Sequence, residues 1–185
     1  MGLFDFFKSK KEEPHYDPTN ISIRDLQKGF IFEYDLKTWV VNEVYEYDWG
    51  DNYFSREFKI DSGEEVSYLH MEEDDELELS ITQKVKVLTI DENLPEYIND
   101  HQKPPKTLTY KGIKFYLDSE NPGYFRSISD ESKDWIEMIS WEYYDEEDKH
   151  LISIEQWGER EFDAAYGVTV EEYEFSNILP AEKNT

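Results

Sequence analysis

No cysteine occurs in the 185 residues, and this one absence removes disulfides, thiolate nucleophiles and Cys-ligated zinc or iron–sulfur centres. Basic residues are scarce: 19 Lys and Arg stand against 44 Asp and Glu, for a net charge of −25. Such a surface repels phosphate backbones, so the body of the protein is expected to bind no nucleic acid. No run approaches the roughly 18 apolar residues of a membrane span. Asp5 and Lys8 interrupt the apolar N-terminus before a secretory core can form, so the expected location is the cytoplasm. Glycine is sparse too, with eight residues falling singly and none in a phosphate-cradling loop. No serine sits in a Gly-x-Ser-x-Gly elbow, and His15, His70, His101 and His150 lie too far apart to form a spaced metal motif. The sequence therefore points to a protein without catalytic residues, metal or cofactor.

Aromatic residues, by contrast, are plentiful: 14 Tyr, 11 Phe and 5 Trp make up 16% of the chain. Each buries a large area and fits a strand, so they can carry a core that is short of aliphatic side chains. From Ile21 onward, alternating runs separated by turn signals predict strands at 30–35, 38–48, 53–61, 65–72, 76–82 and 84–90. A second series covers 107–120, 123–129, 134–145, 150–158, 160–167 and 168–179. Ser22 and Gly29 bracket one helical turn, and Asn93-Leu94-Pro95 starts a short helix in the polar stretch between the two series. The expected fold is mainly β, an antiparallel meander forming a sandwich or partly open barrel, with one or two short helices. Five segments follow: a tail at 1–20, a first β-half at 21–92, a connector at 93–106, a second β-half at 107–180 and a tail at 181–185.

The halves echo each other. "KGFIFEYD" (28–35) resembles "KGIKFYLD" (111–118), and Trp49-Gly50-Asp51 before Arg56-Glu57-Phe58 resembles Trp157-Gly158-Glu159 before Arg160-Glu161-Phe162. Both echoes fit a duplicated meander. The acidic runs 71–78 and 143–150 lack the Asp-x-Asp-x-Asp-Gly loop of a calcium site and read as hairpin tips.

Two features offer themselves for binding. Trp39, Tyr47, Trp49, Trp141 and Trp157 fall on neighbouring strands; without a bulge, the odd-numbered ones on 38–48 share a face. An aromatic cleft with acidic rims suits a cationic ligand such as a polyamine. At the N-terminus, Leu3, Phe4, Phe6 and Phe7 adjoin Lys8, Lys10 and Lys11, the pattern of a weak interfacial anchor at the inner face of a membrane. The leading expectation is a non-enzymatic acidic binding or scaffold module acting with a protein partner at that surface. The alternative is a sensor or carrier for a small organic cation.

Gly29, the W-x-V at Trp39–Val41, "EYDWGD" at Glu46–Asp51 and the Arg56-Glu57-Phe58 that follows resemble the DUF4178 family of bacterial and archaeal proteins. "YYDEEDKHLISIEQWGEREFDAAYG" and the terminal "NILP" (177–180) are similar to the second half of that family. The resemblance spans 21–180 and carries no reaction or catalytic residue with it.

Overall fold

The computed structural model describes residues 20–129 and 134–180. The order is β1 (Ile31–Tyr34), β2 (Lys37–Asp48), β3 (Phe54–Asp61), β4 (Val66–Glu73) and β5 (Leu77–Val85), then α1 (Val87–Ile90) and α2 (Leu94–His101). There follow β6 (Thr107–Tyr110), β7 (Ile113–Ser127), β8 (Ile136–Tyr144), β9 (His150–Gly158), β10 (Glu161–Val170) and β11 (Ser176–Leu179). All pairings are antiparallel, in the order β11-β1-β2-β3-β4-β5-β10-β9-β8-β7-β6, and a further pairing of β2 with β7 closes a ring. The result is a barrel made of β2-β3-β4-β5-β10-β9-β8-β7. β1 with β11 and β6 extend from it as short flaps. Closure leaves the ring strands no free edge.

Four predicted boundaries move, and one of them vanishes: the runs 107–120 and 123–129 join through Asn121-Pro122-Gly123 within β7. The run 84–90 is the end of β5 followed by the α1 turn, because Lys86 stands extended as the N-cap and Val87 and Ile90 turn inward. The run 107–120 breaks at Lys111-Gly112, where both φ values are positive and the chain reverses. The run 168–179 gives the end of β10, a 3-10 turn at Glu172–Glu174 and β11. Ser22 caps the 3-10 turn Ile23–Asp25, and Asn93 precedes α2.

The meanders β1–β5 and β6–β10 are copies of one another. β1–β2 turns through Asp35-Leu36 and β6–β7 through Lys111-Gly112, each a two-residue loop with both φ values positive, the primed hairpin geometry. Six residues past each turn, a single extra residue bulges: Asn42 between Val41 and Glu43, and Asp118 between Leu117 and Ser119. The rows beyond the bulges also match, Phe58–Leu69–Ile81 in one copy and Trp141–Ile154–Ala164 in the other. The barrel closes where equivalent strands meet, β2 with β7 and β5 with β10, so a pseudo-two-fold axis relates the copies. The quoted echoes are in a different register. Gly29 precedes β1, whereas the counterpart of Gly112 is Leu36. Trp49-Gly50 lies at the β2–β3 turn, whereas Trp157-Gly158 lies at β9–β10.

Each copy keeps its own core on the outer face of the ring. Phe32, Trp39, Phe58, Ile60 and Leu69 pack under the β1–β11 flap, and Phe115, Trp141, Tyr143, Ile152 and Ile154 pack under β6, α1 and α2. A fully buried side chain of this size contributes about 1.5–3 kcal/mol. With the apolar sides of the strands spent outward, the alternating polar sides line the lumen.

Candidate functional site: the polar lumen of the barrel

A cavity of about 750 Å³ occupies the lumen, within the roughly 300–1,000 Å³ typical of small-molecule sites. Both copies contribute to its lining. β2 and β3 supply Tyr45, Tyr47 and Glu57; β4 supplies Tyr68, His70 and Glu72; β8 and β9 supply Glu142, Tyr144, Glu155 and Trp157. Along β3 the alternation puts Ser55 and Glu57 inward and Phe58 and Ile60 outward.

The centre of the site is one hydroxyl between two carboxylates. Tyr47 Oη lies 3.4 Å from both Glu57 Oε1 and Glu155 Oε1, which links the copies across the lumen. Its ring stacks on Trp49 at 5.2 Å, meets Phe125 edge-on at 5.3 Å and leans on His70 at 5.6 Å. Phe125 in turn meets Trp157 edge-on at 5.1 Å. Carboxylates and an aromatic wall thus share one enclosed space.

Burial and neighbouring charge together shift the titration of the lumen groups. Burial, followed by the Glu57 charge, pushes Glu155 up to about 8. Burial likewise raises Glu57, against the pull of His70 and Lys84, and raises Glu142 with help from Glu72 and Asp118. Burial alone would lower a base, yet His70 rises because Glu72, Glu57 and Glu142 surround it. Lys84 rises for the same reason, against burial, beside Asp163 and Glu155. Desolvation raises the acids, with neighbouring carboxylates adding to it at Glu155 and Glu142, whereas the bases rise because the surrounding carboxylates outweigh desolvation. Glu72 is the exception: adjoining His70 holds it low against burial, and Tyr53 hydrogen bonds to it. Glu57 and Glu155 therefore titrate as a pair that retains a proton near neutral pH.

Two buried nitrogens on the wall have no partner among the described residues, His70 Nε2 and Trp157 Nε1. His70 Nε2 lies 3.8 Å from Glu72 Oε2, too far for a hydrogen bond. Each such atom costs about 1–3 kcal/mol unless something polar fills the space in front of it.

Of the aromatics singled out in the sequence, Tyr47, Trp49 and Trp157 line this cavity. Trp39 and Trp141 do not. The Asn42 bulge reverses the facing of β2, so Trp39 enters the first outer core with its indole N–H donating to Tyr34 O at 3.1 Å. Trp141 is fully buried in the second core and donates to Glu120 Oε2 at 2.9 Å. Leu3, Phe4, Phe6, Phe7, Lys8, Lys10 and Lys11 lie outside the described residues. The 143–150 run turns the chain: Asp145 accepts from the backbone N–H groups of Lys149 (2.8 Å) and His150 (3.1 Å) and pairs with His150 Nδ1 at 2.7 Å. Glu57, His70, Glu142 and Glu155 were not distinguishable in the sequence, because a polar strand face looks the same whether it meets solvent or a lumen.

A family model described as "Domain of unknown function (DUF4178)" matches residues 27–172. The chain belongs to the DUF4178 family. It is similar to an uncharacterized protein of Aquifex aeolicus (strain VF5), 28% identical over 185 residues and covering 97% of this chain and 99% of that one. No solved structure matches it. Among the described residues of this DUF4178 chain, no helix is long and apolar enough to cross a membrane, and no group of three or more His, Asp or Glu is placed to hold a metal ion.

Proposed function

We propose that this DUF4178 protein is a non-catalytic binding module that takes up a small organic cation, of the polyamine class, inside its barrel. The observation that carries this reading is a 750 Å³ cavity in which Glu57 and Glu155 meet at the Tyr47 hydroxyl beside the Tyr47–Phe125–Trp157 wall. An ammonium group entering the cavity relieves the repulsion between Glu57 and Glu155, and its methylenes lie against Tyr47, Trp49 and Phe125. A cation over such a ring gains about 0.5–2 kcal/mol. An inorganic ion uses the carboxylates but not the rings; an anion meets the wrong potential.

Calorimetric titration with spermidine at physiological salt tests the proposal. Saturable single-site heat is expected, with proton release visible as a dependence on buffer ionisation enthalpy, because the cation displaces the proton held by the carboxylate pair. Absence of saturable heat overturns the reading. Fluorescence gives a second check. The ligand-induced change is expected to vanish in a Trp49→Phe, Trp157→Phe double variant and to survive in Trp39→Phe, whose indole faces the outer core.

A further inference from the structure

The acidic groups of the lumen are not spread evenly. Glu57 and Glu155 gather at the Tyr47 hydroxyl. Glu72, Glu142, Glu78 and Asp118 line the cavity as a second group, with Glu72 directly across the strands from Glu78. His70 stands between, responding to Glu57 on one side and to Glu142 and Glu72 on the other.

Strand register sets the spacing of the two groups, and both walls give the same answer. On the β4 wall, His70 is the cross-strand partner of Glu57, and Glu72 stands two residues further along. On the opposite wall, Ser153 is the partner of Glu142, and Glu155 stands two residues along β9. Two strand residues amount to about 7 Å, the reach of about four to five methylenes between two ammonium groups. The aromatic run Tyr47–Phe125–Trp157 gives methylenes an apolar surface to follow.

The ends of the lumen differ as well. Beside the first group, Asp163 is already paired with Lys84 at 3.1 Å. Beside the second, Glu78 faces Glu72 across the strands and Asp118 projects from the β7 bulge, and both line the cavity. Among the described residues, Glu78 and Asp118 have no ion-pair partner, so unpaired negative charge continues in that direction.

We infer that the lumen selects diamine units, seating one ammonium on Glu57 and Glu155 and the second on Glu142 and Glu72, with a longer polyamine continuing toward Glu78 and Asp118. The inference rests on the organic-cation reading and adds to it a requirement for two charges at a fixed distance. A monoamine satisfies only one group and leaves the other repelling itself.

The test is a calorimetric series on the full chain with butylamine and with the terminal diamines of propane, butane and hexane, at one salt concentration. Diaminobutane is expected to bind at least about tenfold more tightly than butylamine, the effect of one added charge-assisted contact. Glu142→Gln is expected to shrink that ratio to about threefold or less. Glu72→Gln serves as a second variant of the same pole if Glu142→Gln does not fold. Butylamine binding within about twofold of every diamine overturns the two-pole inference and leaves the cation reading standing. Absence of saturable heat with any amine overturns both.

Discussion

Glu155→Gln raises the stability of the free protein at pH 8 by about 2–4 kcal/mol and changes it by less than about 1 kcal/mol at pH 5. The sign follows from where the proton sits. Burial and the Glu57 charge push Glu155 up to about 8, whereas the unfolded chain returns it to an ordinary carboxylate value. Between those values the folded state binds more protons than the unfolded state, so stability falls as pH rises through this window. His70 acts in the same direction: its value is raised in the fold, so its contribution is present at low pH and lost as the ring deprotonates. Glutamine keeps a partner for Tyr47 and cannot ionise. Lys59 holds Glu43 low, Lys37 holds Glu65 low, and His150 holds Asp145 low against burial. These groups operate in a separate window, and their contribution is lost only as pH falls below the ordinary carboxylate range.

Urea unfolding of both proteins at pH 5 and pH 8 measures the difference. Equal stabilisation at the two pH values would show that Glu155 does not ionise in the fold, and the account of the lumen potential would fall with it. The same substitution is expected to weaken amine binding, because it removes half of the first carboxylate group. A variant that gains stability as it loses affinity is the signature of groups retained for a ligand rather than for folding.

The sequence made the β architecture legible because alternation and turn residues are local signals. Leu77, Leu79 and Ile81 declare a strand wherever it goes, and Pro95 with Pro104-Pro105 frames a short helix whatever packs on it. The likeness of the halves was visible too, but at the wrong register. Short similarities around Gly29 and Gly112 compare a residue before a strand with a residue inside a turn, and only the paired bulges at Asn42 and Asp118 align the copies. Those bulges are also why Trp39 was misplaced. One extra residue reverses every side chain before it relative to those after it, and nothing in "TWVVNEVYEYD" marks Asn42 as the extra one. The site itself was hidden for a different reason. Glu57, His70, Glu142 and Glu155 sit on polar faces opposite apolar ones, the pattern of strands with one wet side. Ring closure turns that wet side inward, and closure depends on β2 meeting β7, residues far apart in the chain.

Closure depends as well on glycines at both seams, Gly123 against Asp48 and Gly167 against Ile81, and Gly167→Ala is expected to cost about 3 kcal/mol or more. A Cβ on Gly167 would stand 1.9 Å from Ile81 O and 2.6 Å from Thr82 Cα. Both are backbone atoms of β5, so no rotamer change relieves the contact and the β5–β10 seam itself must open. Small residues recur along this stretch of β10. Ala164 faces Val85, Ala165 faces Lys84 and Gly167 faces Thr82, which lets the second copy approach the first at the pseudo-two-fold axis. Gly63→Ala is the control. Gly63 has φ +82 but open space around it, so the substitution costs only the backbone penalty of about 1 kcal/mol. Urea unfolding of the two variants separates steric approach from backbone conformation. A Gly167→Ala loss no larger than that of Gly63→Ala would mean the seam tolerates a wider spacing, and the lumen between the copies would then be adjustable rather than fixed. The larger loss means that the strands setting the distance between Glu57 and Glu155 are held by a backbone contact that only glycine permits.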